Sequence, residues 1–306
     1  MAHIYAHPAG SSVRQSLQDA IEDGPIWIRP SRSILFVCGG AHQPLKKTLR
    51  SFFLRHASQQ IRDCNILLAE HAFDDINSHT AFSFRNIAEF EHLLTQVVDC
   101  VLIFPESAGS LAELGFFANS DARKKTLVVN RLAYQSIDSF INAGIIDFID
   151  EESDFRSQIH IDFDGRSTPD FSPVEERLKR LDFKRTNRKR LKSLAGDVLT
   201  KQVILYLVTY LVHVCKVLHI EDLRQLSEDL LNSSRNIPEF DELISFCLGA
   251  GLLRRRGDDK TYLAPCTEEN PFVEIKTWKA HRATMACVQF YQQHAPEVYD
   301  LIGAKK

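Results

Sequence analysis

The 306-residue chain contains no G-x-G-x-x-G stretch and no G-x-x-x-x-G-K-[ST], so neither of the two commonest glycine-built phosphate cradles is expected. Its seven cysteines form no C-x-x-C pair and no Cys/His zinc spacing, and an odd, unpatterned count suits buried thiols in a reducing compartment. No metal site is expected. No segment reaches about 18 uninterrupted apolar residues, and the amino terminus lacks a basic-then-apolar leader, so the expectation is a cytoplasmic chain without a membrane span. A net charge of −3 argues against a protein that coats nucleic acid over its whole surface, while leaving room for local basic patches. Internal repeats and low-complexity tracts are missing as well.

What the chain does have begins with length. At 306 residues and 44% hydrophobic content, two domains with two buried cores are expected. In the first half, apolar runs alternate with amphipathic stretches. Strands are expected at Ile34 to Cys38, Asn65 to Glu70, Cys100 to Phe104 and Thr126 to Asn130, with helices over Pro44 to Ile61 and Ser83 to Val98. Such alternation implies a parallel sheet with helices on both faces, and ligands bind such sheets beyond the carboxyl ends of the strands. Three loops fall there: Gly39-Gly40, Glu70 to Asp75, and Glu106 to Ser110.

The last of these loops is the most informative. Val101 to Phe104 suits a strand buried on both faces, and Pro105 cannot continue its ladder. Ser107, Ala108, Gly109 and Ser110 are small enough to let a ligand approach the backbone, and a helix starting at Ser110 would aim its free N–H groups at the same space. Glu113 would follow one turn in. Two readings of Glu113 are open. Held ionised by the helix terminus, it could attack or stabilise an electron-poor anomeric carbon as a glycosidase carboxylate does. Alternatively, Ser110-Leu-Ala-Glu113 is a capping box and nothing more. Asp74 and Asp75 similarly read either as ribose-contacting acids or as solvated loop residues and caps.

The second half begins beyond an Asp-, Ser- and Gly-rich stretch at 150–172 and a basic run, Lys184 to Arg190 with Lys192, taken together as the linker. Helices are expected over Val203 to Leu218, Glu221 to Leu231 and Pro238 to Leu248. Two short β segments then flank Gly257-Asp-Asp-Lys260, as in the wing of a winged helix-turn-helix. Arg254, Arg255, Arg256 and Lys260 would neutralise phosphates, with Arg188, Lys189 and Arg190 adding to the same surface. A protein-docking role for the hairpin and a solvated helix face for the basic run are the alternatives.

Gly39-Gly40, Phe73-Asp-Asp75 and above all Phe104-Pro-Glu-Ser-Ala-Gly-Ser-Leu-Ala-Glu-Leu-Gly-Phe-Phe117 resemble the nucleoside deoxyribosyltransferase-like superfamily, most closely the effector proteins of bacterial retrons that carry such a domain. Ser139-Phe-Ile-Asn142 with Gly144 is also similar to them. The likeness covers residues 30 to 150 well. It implies a flavodoxin-like parallel sheet with helices on both faces over 1–165, the catalytic domain, and a basic linker with a mostly helical winged-helix domain over 166–306. By resemblance Glu113 takes the nucleophile's position, Asp75 or Asp74 that of the second-strand acid, and Ser107 and Gly109 the sugar-contacting loop. Gly39, Gly40, Ser110 and Asn142 complete the implied substrate site. The stretch after the second strand departs from the metabolic transferases in lacking their aromatic-rich pattern, which counts against base exchange between deoxynucleosides.

The implied activity is hydrolysis of NAD to nicotinamide and ADP-ribose. NAD is the substrate, and no cofactor is expected. The implied partners are the retron reverse transcriptase and its branched RNA-linked DNA (msDNA), which restrain a toxin released during phage infection, and further copies of the chain in a homo-oligomer. A nucleotide-sensing DNA-binding regulator without catalysis, and a ribosyl or ADP-ribosyl transferase, are the alternatives.

Overall fold

The computed structural model describes residues 3–22, 33–40, 47–61, 64–68, 87–156, 158–183, 200–231, 237, 239–275 and 277–303. The chain divides into two compact units, one comprising Pro30–Glu70 and Glu91–Asn187, the other Met1–Arg29, His71–Phe90 and Arg188–Lys306. The amino-terminal segment therefore groups with the carboxy-terminal half, which differs from a single cut at residue 165.

The first unit holds β1 (Ser33–Cys38), α2 (Leu49–Gln60), β2 (Cys64–Leu67), α3 (Ile87–Val97, whose first four residues fall in the other unit), β3 (Cys100–Ile103), α4 (Ala108–Ala118), β4 (Thr126–Arg131), a π-helix (Ile141–Ile146) running into α5 (Asp147–Glu152), β5 (Ile159–Ile161) and α6 (Ser172–Phe183). Helix α1 (Gly10–Glu22) belongs to the second unit. All four strand pairings are parallel, in the order β2-β1-β3-β4-β5. Val37 aligns with Leu102 and Ile103 with Val128, so the carboxyl ends of β1, β3 and β4 finish at one edge.

Each of β1, β3 and β4 is an apolar run because both its faces are covered. Leu35, Val37, Leu102, Phe104, Leu127 and Val129 form one face, packed with Phe53 of α2 and with Phe171 and Val174 at and in the start of α6. On the opposite face the Phe36 ring meets Phe117 of α4 edge to face, 6.2 Å between centroids. Two elements fall where a linker was expected. Ile159–Ile161 is the fifth strand, its short apolar alternation pairing with Val129–Arg131, and Ser172–Phe183 is a helix.

The second unit contains α1, α7 (Lys201–Cys215), β6 (Leu218–His219), α8 (Ile220–Leu230), α9 (Phe240–Gly249), β7 (Leu253–Arg256), β8 (Tyr262–Pro265), α10 (Trp278–His294) and α11 (Pro296–Gly303). The expected hairpin is present as β7 and β8, antiparallel, with β6 on the far side of β8. Gly257 sits in its turn at φ 81°, the left-handed region that a side chain rarely adopts. The unit is mostly helical. Helix α7 is buried along nearly its whole length, which explains an apolar run too rich to be amphipathic. Helix α1 packs along α10, and the buried Asp222 carboxylate accepts the Ile4 and Tyr5 N–H groups at 2.9 and 3.2 Å. Among the described residues no helix is long and apolar enough to cross a membrane.

Candidate functional site

The carboxyl edge of the sheet is built around one residue that local pattern did not single out. Glu106 follows Pro105 directly after β3, and its side chain is only 4% exposed. Its Oε1 accepts the Leu49 N–H at 2.8 Å and its Oε2 the Arg50 N–H at 3.1 Å, so it caps the start of α2. Arg131, at the end of β4, donates to Oε1 from Nη2 at 2.9 Å. One carboxylate thus ties the loops after β1, β3 and β4 together. Its local signal was an acid right after a strand-ending proline, but its partners lie 57, 56 and 25 residues away in sequence.

Arg50 completes the frame. Although an arginine, it is 2% exposed, and it donates to Gly40 O and Val37 O, both at 3.1 Å. A Cβ on Gly39 would stand 2.7 Å from Arg50 Cδ and 3.1 Å from Phe104 Cβ. Gly39 therefore lets the buried arginine approach the backbone. Gly40 is buried, and a Cβ there would lie 3.7 Å from that of Glu106.

The helix starts two residues before the expected Ser110, and the capping box lies three residues earlier. Helix α4 begins at Ala108, its N-cap is Ser107 in extended conformation (φ −145°, ψ 163°), and the box is formed by Ser107 and Ser110. Ser110 Oγ accepts N–H bonds from Glu106 at 3.0 Å and Ser107 at 2.9 Å, and the residue is fully buried. Two serines three apart satisfy the box without a carboxylate, which removes the capping reading of Glu113. Glu113 lies at the sixth helical position, beyond the first turn where the terminal field is strongest. Gly109 is exposed and helical.

Glu113 is half-buried, with Oε2 shielded from solvent. Its electrostatic neighbour is Glu91 of α3, which is 6% exposed. Burial, reinforced by the charge on Glu113, pushes the Glu91 carboxyl up from near 4.5 to about 7. The buried Glu91 carboxyl thus feels the charge of the half-buried Glu113, and carboxyls held in unlike environments are a pattern of acid–base sites. Glu91 was legible as an acid sharing a helix face with Leu94 and Val98.

On the other side of α4 lies a cavity of about 510 Å³, bounded by Ala108 and Leu111, by Glu106 and Ser107, and by Asn130, Arg131, Tyr134, Ile137, Ser139, Ile141 and Asn142. At 100° per residue Glu113 is about 200° around the helix from Leu111, so this cavity and the Glu91–Glu113 pair occupy different faces of one helix. Asn142 is on the cavity wall, but its amide nitrogen donates to Tyr134 O and Ile137 O, both at 2.8 Å. Its amide nitrogen holds the wall together.

Asp74, Asp75, Arg188, Lys189 and Arg190 lie outside the described residues. In the hairpin, Arg254, Arg255 and Arg256 are half-buried and Lys260 is exposed. Strand alternation sends Arg255 to the face opposite Arg254 and Arg256, and Arg255 Nη1 donates to Lys260 O at 3.0 Å across the turn.

The family model for the STM3845 retron effector protein matches residues 46–255. "Retron Ec86 putative ribosyltransferase/DNA-binding protein" of Escherichia coli is 34% identical over 118 residues, 36% of this chain and 35% of that protein. "Retron Ec73 putative ribosyltransferase/DNA-binding protein" of the same species is 31% identical over 124 residues, 40% and 39% of the two chains. The alignments span less than half the length of these curated relatives.

Proposed function

The family match spans more than half of the chain, so the protein belongs to the STM3845 retron effector family, and from that premise we propose that it is a toxic N-glycosidase of an anti-phage retron, hydrolysing NAD to nicotinamide and ADP-ribose. The observation that supports this reading is the buried Glu91 carboxyl, raised to about 7 by burial and by the charge on Glu113, on the sheet unit of a retron effector. The strand order 2-1-3-4-5 is that of flavodoxin-like sheets and supports a nucleoside deoxyribosyltransferase-like catalytic unit.

In the proposed reaction Glu113 faces the anomeric carbon of the nicotinamide ribose. As the C–N bond breaks, its electron pair moves to the ring nitrogen and cancels the positive charge there, so nicotinamide leaves neutral and needs no proton. The carboxylate stabilises or bonds the cationic carbon, water then adds to it, and one proton is released with ADP-ribose. In this reading Glu91, with its carboxyl near 7, takes up and releases that proton. Asp75, or Asp74, holds the ribose hydroxyls in this reading.

The second unit is proposed to be the docking half. Its order of helix, short strand, two helices and hairpin supports a winged-helix reading, and the DNA-binding part of the relatives' names supports msDNA as its occupant. The reverse transcriptase and msDNA would restrain the toxin in the cytoplasm, within a homo-oligomer, until infection.

The test incubates the purified full chain with NAD and, separately, with deoxynucleosides. Equimolar nicotinamide and ADP-ribose are expected from NAD, falling about a thousandfold or more in Glu113→Gln. Intact NAD, or undiminished turnover by that variant, overturns the mechanism. The relatives' ribosyltransferase names favour transfer as the second reading, and nicotinamide released without matching ADP-ribose would select it. Tight nucleotide binding without any product would select a sensing regulator.

A further inference from the structure

We infer that the cavity between the β3 and β4 loops is a nucleotide-binding site in which Arg131 holds the phosphate, distinct from the Glu113 face of α4. The inference rests on the cavity and stands whether or not Glu113 cleaves a glycosidic bond. Its volume of about 510 Å³ falls within the ~300–1,000 Å³ typical of small-molecule sites. Two charged side chains border it, and they are not equivalent. Glu106 is 4% exposed and its carboxylate already accepts three donors, two of them from the start of α2. Arg131 is 31% exposed and donates to Glu106 from Nη2 alone, leaving Nε and Nη1 without a partner among the described residues. The charge a ligand meets is therefore positive, and the ligand group that fits it is an anion with paired oxygens.

The guanidinium is also fixed in advance. It stacks 5.0 Å from the centre of the Phe163 ring while Glu106 holds one end, and the backbone beneath it is held by the Arg131 main-chain N–H donating to Asn130 Oδ1 at 2.9 Å. Little side-chain freedom would be lost when an anion arrives. The rest of the cavity is suited to a flat, weakly polar body. Tyr134 and Ile137 border it at 42% and 47% exposure, together with Leu111, and the Asn142 amide pins the backbone of both. A base against Tyr134 and Ile137 with its phosphate on Arg131 satisfies the apolar and the charged parts together. A neutral nucleoside would leave the arginine without a partner, and a cation would be repelled.

The same chemistry has two sources: the adenylate half of a dinucleotide substrate, or a free mononucleotide. AMP, ADP-ribose and adenosine are titrated calorimetrically into the full chain carrying Glu113→Gln. AMP is expected to bind at least tenfold more tightly than adenosine. Adding Arg131→Gln should weaken AMP at least tenfold and erase its advantage over adenosine, while Arg131→Lys restores part of it. Because losing Arg131 removes a partner from Glu106, Ile137→Asp serves as the second variant. It sets a negative charge at a half-exposed rim position and should weaken AMP tenfold with an unchanged melting temperature. Equal binding of AMP and adenosine, or AMP binding indifferent to both Arg131→Gln and Ile137→Asp, or no AMP binding at all, overturns the site.

A competition arm on the unsubstituted chain separates the sources. AMP that raises the KM for NAD without changing kcat assigns the cavity to the substrate's adenylate half. AMP that binds without displacing NAD assigns it to a free nucleotide. Should the chain release no nicotinamide while AMP still requires Arg131, the hydrolase reading fails and the site stands. Should nicotinamide be released while AMP fails to bind, the reverse holds.

Discussion

The two units bury their polar groups in different ways. In the sheet unit two buried charges gather at the carboxyl edge, Arg50 against two carbonyls and Glu106 across three loops, and a third buried group, Glu91, feels the charge of Glu113. In the helical unit the buried ionisable groups are spread over separate helices, each tied singly to nearby backbone. His213, pushed down by burial, contacts Thr209 O at 2.8 Å, Asp222 binds the N–H groups of Ile4 and Tyr5, and Tyr291 donates to Val217 O at 2.8 Å. Its cations lie toward the surface of a hairpin. Concentrated buried charge is costly unless paired, and its persistence at a sheet edge marks where chemistry is expected, whereas the helical unit presents a surface.

The sharpest way to break this contrast is to cross the variants. Arg254→Ala, Arg255→Ala and Arg256→Ala together should weaken binding to duplex DNA and flatten its salt dependence by about two to three in log–log slope, while nicotinamide release in the absence of partners stays unchanged. Since Arg255 faces away from its two neighbours, the single variants should divide, Arg254→Ala and Arg256→Ala lowering the slope together and Arg255→Ala differing from them. Filter binding across a salt series reads both. A triple variant with unaltered DNA affinity would erase the assigned division of labour.

Next in size is the pH response of the sheet unit. The folded chain holds the Glu91 proton up to about pH 7, whereas an unfolded chain releases it near 4.5, so the folded state binds more protons between these values. Stability is therefore greatest below pH 4.5 with respect to this group, falls as pH rises, and has lost ~3 kcal/mol above pH 7. Urea titrations of Glu91→Gln should lose that slope. If the wild-type slope survives the substitution, the buried proton resides elsewhere.

The smallest effect concerns the register of α4. Ser107→Ala should cost about 1 kcal/mol by removing the N-cap, and Glu113→Gln should cost nothing comparable. Matching thermal shifts for the two would return Glu113 to a capping role.

Sequence pattern located β1, β3, β4, α7 and the hairpin because each is an apolar run or an alternation bounded by turn residues, and α8 because its apolar residues recur at helical spacing. It passed over β5, whose three residues lie in an Asp-, Ser- and Gly-rich stretch and become a strand only by pairing with β4. It also passed over α1 and α10, whose packing on each other no local window reveals. At the site, the small-residue loop and Glu113 were legible from spacing. The register of the cap was not, because Ser107 and Ser110 each begin a plausible box and only the extended backbone at Ser107 decides between them. Glu106 and Arg131 escaped for a different reason: their roles exist only between loops distant in sequence.

The packing of α1 on α10 sets a timetable for synthesis. Residues 10–22 leave the ribosome early, yet the surface they cover, at 278–294, is made roughly 250 residues later, a wait on the order of tens of seconds. Until then that helix has no mate, and Asp222 has no Ile4 or Tyr5 to clasp unless the first residues remain free to return. The helical unit can close only once translation has passed α10, so a prematurely terminated chain would carry the sheet without its completed companion.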